Sequence, residues 1–143
     1  MRDGKNAGVR AHRFPFTGRA RRYHRWPDGF HTEDVGPSER QALAVLIRDT
    51  DGKVSGGLSG YTAWGWLFVQ LLYIPDTLRG SGMAGKILAK AEEEAAARGC
   101  RGAWIDTFNP NALSAYKRQG YEVFGELPDF PEGRTRTFLK KML

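Results

Sequence analysis

The clearest chemical feature of this sequence is a glycine-rich turn at residues 79–85, which reads RGSGMAG. It follows an apolar, aromatic stretch and precedes a stretch with helical periodicity. Glycines allow several backbone N–H groups to converge, and the N-terminus of a helix adds partial positive charge, so this arrangement is typical of a phosphate site. Glycines also make tight connections and let a helix pack closely on a sheet, and the turn by itself fits both roles.

Two kinds of nucleotide site compete for this turn. Residues 80–86 satisfy the P-loop pattern G-x-x-x-x-G-K, but Ile87 stands where a Ser or Thr hydroxyl should hold Mg²⁺. Residues 75–78 also separate the turn from the preceding strand, whereas a P-loop tends to leave its strand directly. Read from Arg79 instead, the turn has the form R-x-x-G-x-A with no position missing. A P-loop-like phosphotransferase remains an alternative on these residues alone.

A second segment of interest, residues 109–121, reads NPNALSAYKRQGY. Asn109 is a typical N-cap, and Pro110 suits the first position of a helix. Gly120 is a typical helix end. Tyr116 lies on the apolar stripe of the helix that these signals predict.

Together the two segments resemble the cofactor-binding signature of the GNAT superfamily of acyl-CoA N-acyltransferases. The first part of that signature is R/Q-x-x-G-x-G/A after the end of a strand. The second part is a helix that contains alanine and a tyrosine and ends in the pattern Lys-x-x-Gly-aromatic. The strand end here is Leu72-Tyr73-Ile74, and the resemblance covers residues 41–143. It implies an enzyme that transfers the acetyl group of acetyl-CoA to a primary amine by direct attack. A non-catalytic domain that binds CoA or another anion is the second alternative.

The resemblance also implies roles for individual residues. The backbone of Leu72, Tyr73 and Ile74 would bind the pantetheine and the acetyl carbonyl, and Asn109 would face the pantetheine arm. The pyrophosphate would be held by the turn residues Arg79, Gly80, Ser81, Gly82, Met83, Ala84 and Gly85. Tyr116 would be the general acid that protonates the departing CoA thiolate, which suits a phenol with a pKa of about 10. The alternative role of Tyr116 is to fill the apolar stripe of its helix.

The sequence assigns no general base. Carboxylates and one imidazole could serve if the fold brings them to the groove: His31, Glu33, Asp34, Asp106, Glu126 and Asp129. The histidines His12, His24 and His31 lack the spacing of metal ligands, so no metal site is expected. Cys100 follows a helix-ending glycine and is expected to pack as a small hydrophobic residue rather than act as a nucleophile.

A sheet and two helices must position these residues. Short apolar and aromatic runs bounded by turn signals predict strands at residues 42–48, 54–61, 64–74, 103–107, 121–125 and 135–141. Apolar residues on one face predict a helix at 82–98. The expected fold is α/β (α+β), a mixed, mostly antiparallel central sheet flanked by helices. The pyrophosphate loop lies between strand 64–74 and helix 82–98.

Two features of the predicted strands bear on their packing. Gly56, Gly57 and Gly60 weaken the prediction of strand 54–61 or mark places where another backbone comes close. Trp64, Trp66 and Phe68 alternate along strand 64–74, and we expect them to form a packed face.

Length and composition limit the possible classes. The 143 residues suffice for one domain with one hydrophobic core. No apolar run approaches the roughly 18 residues that a membrane span needs. A lone cysteine and the lack of a secretory signal favour the cytoplasm.

The net charge of +6 comes from the N-terminal part of the chain. Residues 1–25 carry eight Lys or Arg and one acidic residue. Residues 26–143 carry fourteen Lys or Arg and fifteen acidic residues. A basic terminus of this kind is usually solvated, so nucleic acid is not the expected partner.

Residues 1–40 are expected to form a poorly patterned basic segment, and residues 41–143 the N-acetyltransferase domain. Members of the superfamily usually begin with a strand and two helices that wall the acceptor groove, and residues 1–40 do not show this pattern. The acceptor therefore stays open between a small molecule and a peptide amine. The sheet edges of so small a domain leave a homodimer open.

Overall fold

The structure is a computed structural model, and it describes residues 30–143, with side chains from residue 33 onward. A short helix, α1 (Phe30–Val35), precedes a compact unit that spans Pro37–Leu143. Within that unit, six strands form one sheet in the order β1-β2-β3-β4-β6-β5. Their bounds are β1 Gln41–Arg48, β2 Val54–Ala63, β3 Trp66–Tyr73, β4 Gly102–Thr107, β5 Glu122–Pro128 and β6 Thr135–Met142.

Two further helices connect the strands. Helix α2 (Met83–Ala97) links β3 to β4 and packs on β1, β2 and β3, and helix α3 (Pro110–Arg118) links β4 to β5 and packs on β4. A short 3-10 turn, Asp76–Leu78, lies between β3 and the glycine-rich turn. Strands β3 and β4 pair in parallel, and the other neighbouring strands pair antiparallel. The predicted mixed, mostly antiparallel sheet with flanking helices is confirmed.

The β2–β3 hairpin corrects one predicted boundary. Trp64 and Gly65 form its two-residue loop, between the paired residues Ala63 and Trp66, and so strand β3 begins two residues later than predicted. Both loop residues have positive φ, 46° for Trp64 and 77° for Gly65. A two-residue loop with this geometry matches the twist of the strands it joins. The predicted Trp64–Trp66–Phe68 alternation therefore holds only for its last two members.

The end of β5 also differs from the prediction. The pairing of β5 with β6 runs on to Pro128 and Thr135, so the strand ends three residues beyond its predicted end at Gly125. Proline is tolerated there because β5 is an edge strand, and its outer side needs no N–H donor. Tyr121 lies just before the strand, and its N–H donates to the carbonyl oxygen of Tyr116 at the end of α3.

The hydrophobic core lies between the sheet and α2. Alternate strand residues face it, so that Leu67, Val69, Ala103 and Ile105 are buried while Trp104 points to the opposite face. On that opposite face Trp104 stacks on Phe68, with ring centroids 3.9 Å apart. Helix α2 supplies Ile87, Leu88, Ala91 and Ala95 to the core.

A partly buried ion pair connects α2 to the sheet. The Glu92 carboxylate accepts hydrogen bonds from the Lys141 ammonium at 2.5 Å and from the Tyr121 hydroxyl at 3.5 Å. Burial, with the Glu92 carboxylate beside it, raises the pKa of the Tyr121 phenol. This contact fixes α2 against β6 and against the segment that follows α3.

Strands β2 and β3 pair with a bulge next to the point where the pairing of β3 with β4 ends. Gly60 pairs with Val69 and Ser59 pairs with Leu71, so Gln70 is the extra residue on β3. A bulge bends its strand and increases the local twist. Strand β3 follows β2 as far as Tyr73, but its pairing with β4 ends at Val69 and Ile105. The two parallel strands therefore separate, and the β4-facing backbone of residues 70–73 has no strand partner.

Candidate functional site

A cavity of about 670 Å³ lies at the end of β3 and extends to the N-terminus of α2 and one face of α3. Eleven of the twelve predicted site residues line it: Leu72, Tyr73, Ile74, Arg79, Gly80, Gly82, Met83, Ala84, Gly85, Asn109 and Tyr116. Ser81 does not line the cavity. Its hydroxyl donates to the Leu78 carbonyl oxygen and so closes the turn. The two segments singled out in the sequence thus meet at one place.

The cavity has further lining residues that the sequence did not single out: Leu78, Leu88, Asn111, Ala112, Ala115, Arg118 and Gln119. A signal for some of them is present in the sequence. Ala112, Ala115 and Gln119 lie three, four or seven positions apart and so share the helical face of Tyr116.

The glycine-rich turn leaves the first turn of α2 open to the cavity. Gly80 and Gly82 both adopt left-handed backbone angles, with φ of 78° and 81°. Gly82 is the N-cap of α2, and no side chain caps the helix there. The first helical N–H groups have no carbonyl partner within a helix, so those of Met83, Ala84 and Gly85 remain available to an anion.

Arg79 adds a positive charge beside this open helix end. Its Nε donates to the carbonyl oxygen of Ile74 at 3.0 Å, and its guanidinium pairs with Asp76. The side chain is otherwise 59% exposed. These contacts hold the cation between the end of β3 and the turn, where a phosphate group could reach it.

Gly85 permits the close approach of the two helices that border the cavity. A Cβ at this position would lie 2.6 Å from the Gln119 amide nitrogen. The glycine therefore serves the contact between α2 and α3 as well as the cavity wall.

Asn109 caps α3 as the sequence predicts. Its side-chain oxygen accepts from the backbone N–H groups of Asn111 at 2.8 Å and Ala112 at 3.3 Å. The oxygen is thereby occupied, and Nδ2 is the part of the side chain that remains for a ligand in the cavity.

Tyr116 is the buried titratable group of the cavity wall, with 7% of its surface exposed. Burial, and next the negative charge of Asp106, raise the pKa of its phenol to about 12. Its ring packs against that of Tyr121, with centroids 6.3 Å apart. Its hydroxyl forms no hydrogen bond within residues 30–143. The phenol is therefore protonated at neutral pH and available to a ligand.

A second group of side chains lies on the other side of β4. We use the term Asp106 cluster for Asp106, Phe108, Phe130 and Arg136. The Arg136 Nη1 donates to Asp106 Oδ1 at 2.7 Å. The guanidinium also lies over both rings, 4.3 Å from the centroid of Phe130 and 5.0 Å from that of Phe108. Its Nε is buried without a partner among the described residues.

The other candidate bases are distributed differently. Glu126 is exposed on the edge strand β5, and the Asp129 carboxylate accepts from the Gly133 N–H within the β5–β6 loop. Glu33 and Asp34 are exposed on α1. The side chains of His12, His24 and His31 lie outside the described residues. Asp106 is therefore the candidate whose charge reaches Tyr116.

The remaining expectations concern metals, the thiol and membranes. Among the described residues, no group of three or more His, Cys, Asp or Glu side chains could hold a metal ion. Burial raises the pKa of the Cys100 thiol, and the thiol does not line the cavity, so no reactive thiolate is indicated. In the part of the chain that is described, no helix has the length and apolar character needed to cross a membrane.

Comparisons with known proteins identify the family of this chain. A model of the acetyltransferase (GNAT) family matches residues 10–121. The acetyltransferase Atu2258 of Agrobacterium fabrum is 51% identical over 106 residues, 74% of this chain and 77% of that protein. The blasticidin-S acetyltransferase of Streptomyces morookaense is 38% identical over 93 residues, 64% of this chain and 68% of that protein. A crystal structure from Agrobacterium tumefaciens, described as an acetyltransferase, superposes with a TM-score of 0.88 at 42% identity, covering 95% of this chain and 100% of that one.

Proposed function

The chain belongs to the GNAT family of acetyltransferases, and from this premise we propose that it transfers the acetyl group of acetyl-CoA to the primary amine of a small molecule. The observation that carries the proposal is the single cavity that joins the open edge of β3, the N-terminus of α2 and Tyr116. A small-molecule acceptor is favoured because one similar protein is a blasticidin-S acetyltransferase.

The donor fits the cavity in two parts. Pantetheine is a chain of amide groups, and the unpaired backbone of residues 70–73 offers it the hydrogen bonds of a missing strand. The pyrophosphate suits the N–H groups at the start of α2, with Arg79 beside them. The amide of Asn109 would then face the pantetheine arm.

The reaction needs no enzyme nucleophile. The neutral amine attacks the thioester carbonyl carbon, a C–N bond forms and the C–S bond breaks. Backbone N–H groups at the gap would stabilise the developing oxyanion, and Tyr116 would donate its proton to the leaving thiolate. A phenol with a pKa of about 12 is present in the protonated form that this step requires.

The P-loop alternative conflicts with the position of Ile87. This residue is 7% exposed and belongs to the core beneath α2, so a side chain there could not reach a metal ion in the cavity. We also propose a cytoplasmic location, because Cys100, the one cysteine, has no partner in the chain for a disulfide.

Calorimetric titration with acetyl-CoA, beside a titration with ATP and Mg²⁺, tests the proposed function. We expect saturable binding of acetyl-CoA and none of ATP. The Lys90→Ala variant is a matched control, since it removes an exposed cation from α2 outside the cavity. Absence of both heat and a thermal shift with acetyl-CoA would refute the proposal, and tight Mg²⁺-dependent ATP binding would restore the P-loop alternative.

A further inference from the structure

The following inference rests on the proposed acetyl transfer. We infer that the Asp106 cluster is the acceptor site, that it takes a primary amine carried on a planar aromatic ring, and that Asp106 receives the proton of that amine.

The position of Asp106 relative to the gap is the first argument. Ala103 and Ile105 face the core beneath α2, so Asp106 faces the opposite side of the sheet. It is also the first residue of β4 beyond the last pair with β3, which is Val69 with Ile105. The carboxylate therefore lies where the pairing of β3 with β4 has ended, on the face of the sheet opposite the core.

The relation of Asp106 to Tyr116 is the second argument. Tyr116 lines the cavity from α3, on the core side of the sheet, yet the charge of Asp106 contributes to the raised pKa of its phenol. Helix α3, which carries Tyr116, packs on β4, which carries Asp106, so the two side chains belong to elements in direct contact. A reaction centre in the gap would have a proton donor on one side and a proton acceptor on the other.

This arrangement gives the transfer a complete proton balance. As the amine nitrogen bonds to the carbonyl carbon, it loses one proton to Asp106, directly or through one water. As the C–S bond breaks, the thiolate gains the proton of Tyr116. Both side chains then return to their starting states by exchange with solvent.

Arg136 fixes the orientation of the carboxylate. It occupies Oδ1 of Asp106, and no described residue donates to Oδ2, which is therefore free for an amine or a water. The guanidinium is itself held between the rings of Phe108 and Phe130. Arg136 is a positioning residue in this scheme, because it acts through Asp106.

The two rings define the acceptor. Phe108 is 44% exposed and Phe130 is 50% exposed, although both are large apolar side chains beside a polar pair. Exposed aromatic surface around a few fixed polar groups is characteristic of a ligand site. Flat aromatic faces of this kind pack well against another planar ring.

A matched pair of amines tests the acceptor class. Benzylamine and cyclohexylmethylamine both carry one amine on a six-membered ring, but only the first ring is planar. With acetyl-CoA saturating, released thiol as the readout and kcat/KM referred to the concentration of neutral amine, we expect benzylamine to be favoured by about tenfold or more. Phe108→Ala and Phe130→Ala should reduce that preference to about threefold or less, whereas Leu46→Ala, an exposed apolar residue on β1, should preserve it.

Variants of Asp106 test the proton transfer. Asp106→Asn should lower kcat by about a hundredfold, within the usual range for general base catalysis. The affinity for acetyl-CoA should stay unchanged, even though loss of the charge that faces Arg136 lowers the thermal midpoint. Asp106→Glu should recover part of kcat, and Arg136→Lys should lower kcat without changing KM for acetyl-CoA. A merely structural role would instead lower the thermal midpoint and the donor affinity together.

The outcomes separate this inference from the proposed function. Wild-type protein that binds acetyl-CoA but acetylates neither amine, or prefers cyclohexylmethylamine, would refute the acceptor class and leave the donor site intact. A kcat within twofold of wild type in Asp106→Asn would refute the proton transfer. Failure to bind acetyl-CoA would refute the proposed function itself.

Discussion

The α-carbon of Gly60 on β2 lies so close to the carbonyl oxygen of Phe68 on β3 that no side chain fits between them. This contact lies directly beside the bulge at Gln70, which follows the last pair of β3 with β4. We expect Gly60→Ala to lower the free energy of unfolding by about 3 kcal/mol or more, because a backbone rather than a flexible side chain must move. Urea unfolding of the wild-type and variant proteins would measure this loss of stability. Gly125→Ala is the control, since its Cβ would meet no atom closer than 4.0 Å, and equal effects of the two variants would contradict the explanation.

Arg79 should contribute to binding only through the phosphates of the donor. We expect Arg79→Ala to weaken acetyl-CoA binding about five- to twentyfold, since a charged hydrogen bond is lost at a largely exposed site. Acetyl-pantetheine carries the thioester but no pyrophosphate, so its KM should not change. Calorimetry and steady-state kinetics test the two donors side by side. A comparable loss for both donors would show that Arg79 shapes the cavity instead of binding phosphate.

Tyr116 should contribute to turnover and not to donor affinity. Tyr116→Phe removes the hydroxyl and keeps the ring, so we expect turnover to fall at least about tenfold. The dissociation constant for acetyl-CoA should change less than twofold. Unchanged turnover would remove Tyr116 from the mechanism and leave it as a packing residue of α3.

The raised pKa of Tyr116 also predicts how stability depends on pH. The phenol ionises near pH 10 in the unfolded chain and near 12 in the folded protein, so its protonated form is favoured by folding. Its contribution is complete below pH 10 and is lost as the pH rises through 12, an effect of about 2 to 3 kcal/mol. Tyr116→Phe should therefore lose less stability than wild type between pH 10 and 12, measured by urea unfolding. Parallel pH profiles would contradict this, and Tyr61→Phe is the control.

The Glu92–Lys141 pair should matter for stability because Glu92 is buried. Lys141→Met leaves the carboxylate without its cation, and we expect the free energy of unfolding to fall by about 2 to 4 kcal/mol. Adding Glu92→Leu should restore most of the loss, because the uncompensated charge is then gone. Lys90→Met, at an exposed position of α2, should have little effect. A double variant no more stable than Lys141→Met would exclude this explanation.

The helices and the glycine-rich turn could be predicted because their signals are local. Asn109 and Pro110 stand at the start of α3 with the spacing that an N-cap requires, and the structure has the predicted hydrogen bonds. Gly82 similarly marks the start of α2. The assignment of the donor-binding residues and of Tyr116 to catalysis stays a prediction until the experiments above are done.

The gap and the Asp106 cluster could not be predicted because they depend on distant partners. The bulge at Gln70 exists only opposite Ser59 and Gly60, and nothing in the sequence of β3 alone indicates it. Asp106 was one of several candidate bases in the sequence, and its hydrogen bond with Arg136, thirty positions further along the chain, appears only in the fold. Trp64 was predicted within the strand from its residue type, whereas the hairpin requires a loop residue there.

The separation of β3 from β4 leaves backbone groups of β3 without hydrogen-bond partners, and a bound donor would supply these partners. A molecule whose amides fill that gap forms hydrogen bonds with the folded protein. The unfolded chain cannot form these hydrogen bonds. Such a ligand raises stability by about 2.7 kcal/mol at a hundred times its dissociation constant. The resistance of this protein to unfolding and proteolysis would then follow the supply of acetyl-CoA, so that its lifetime in the cell would reflect the metabolic state.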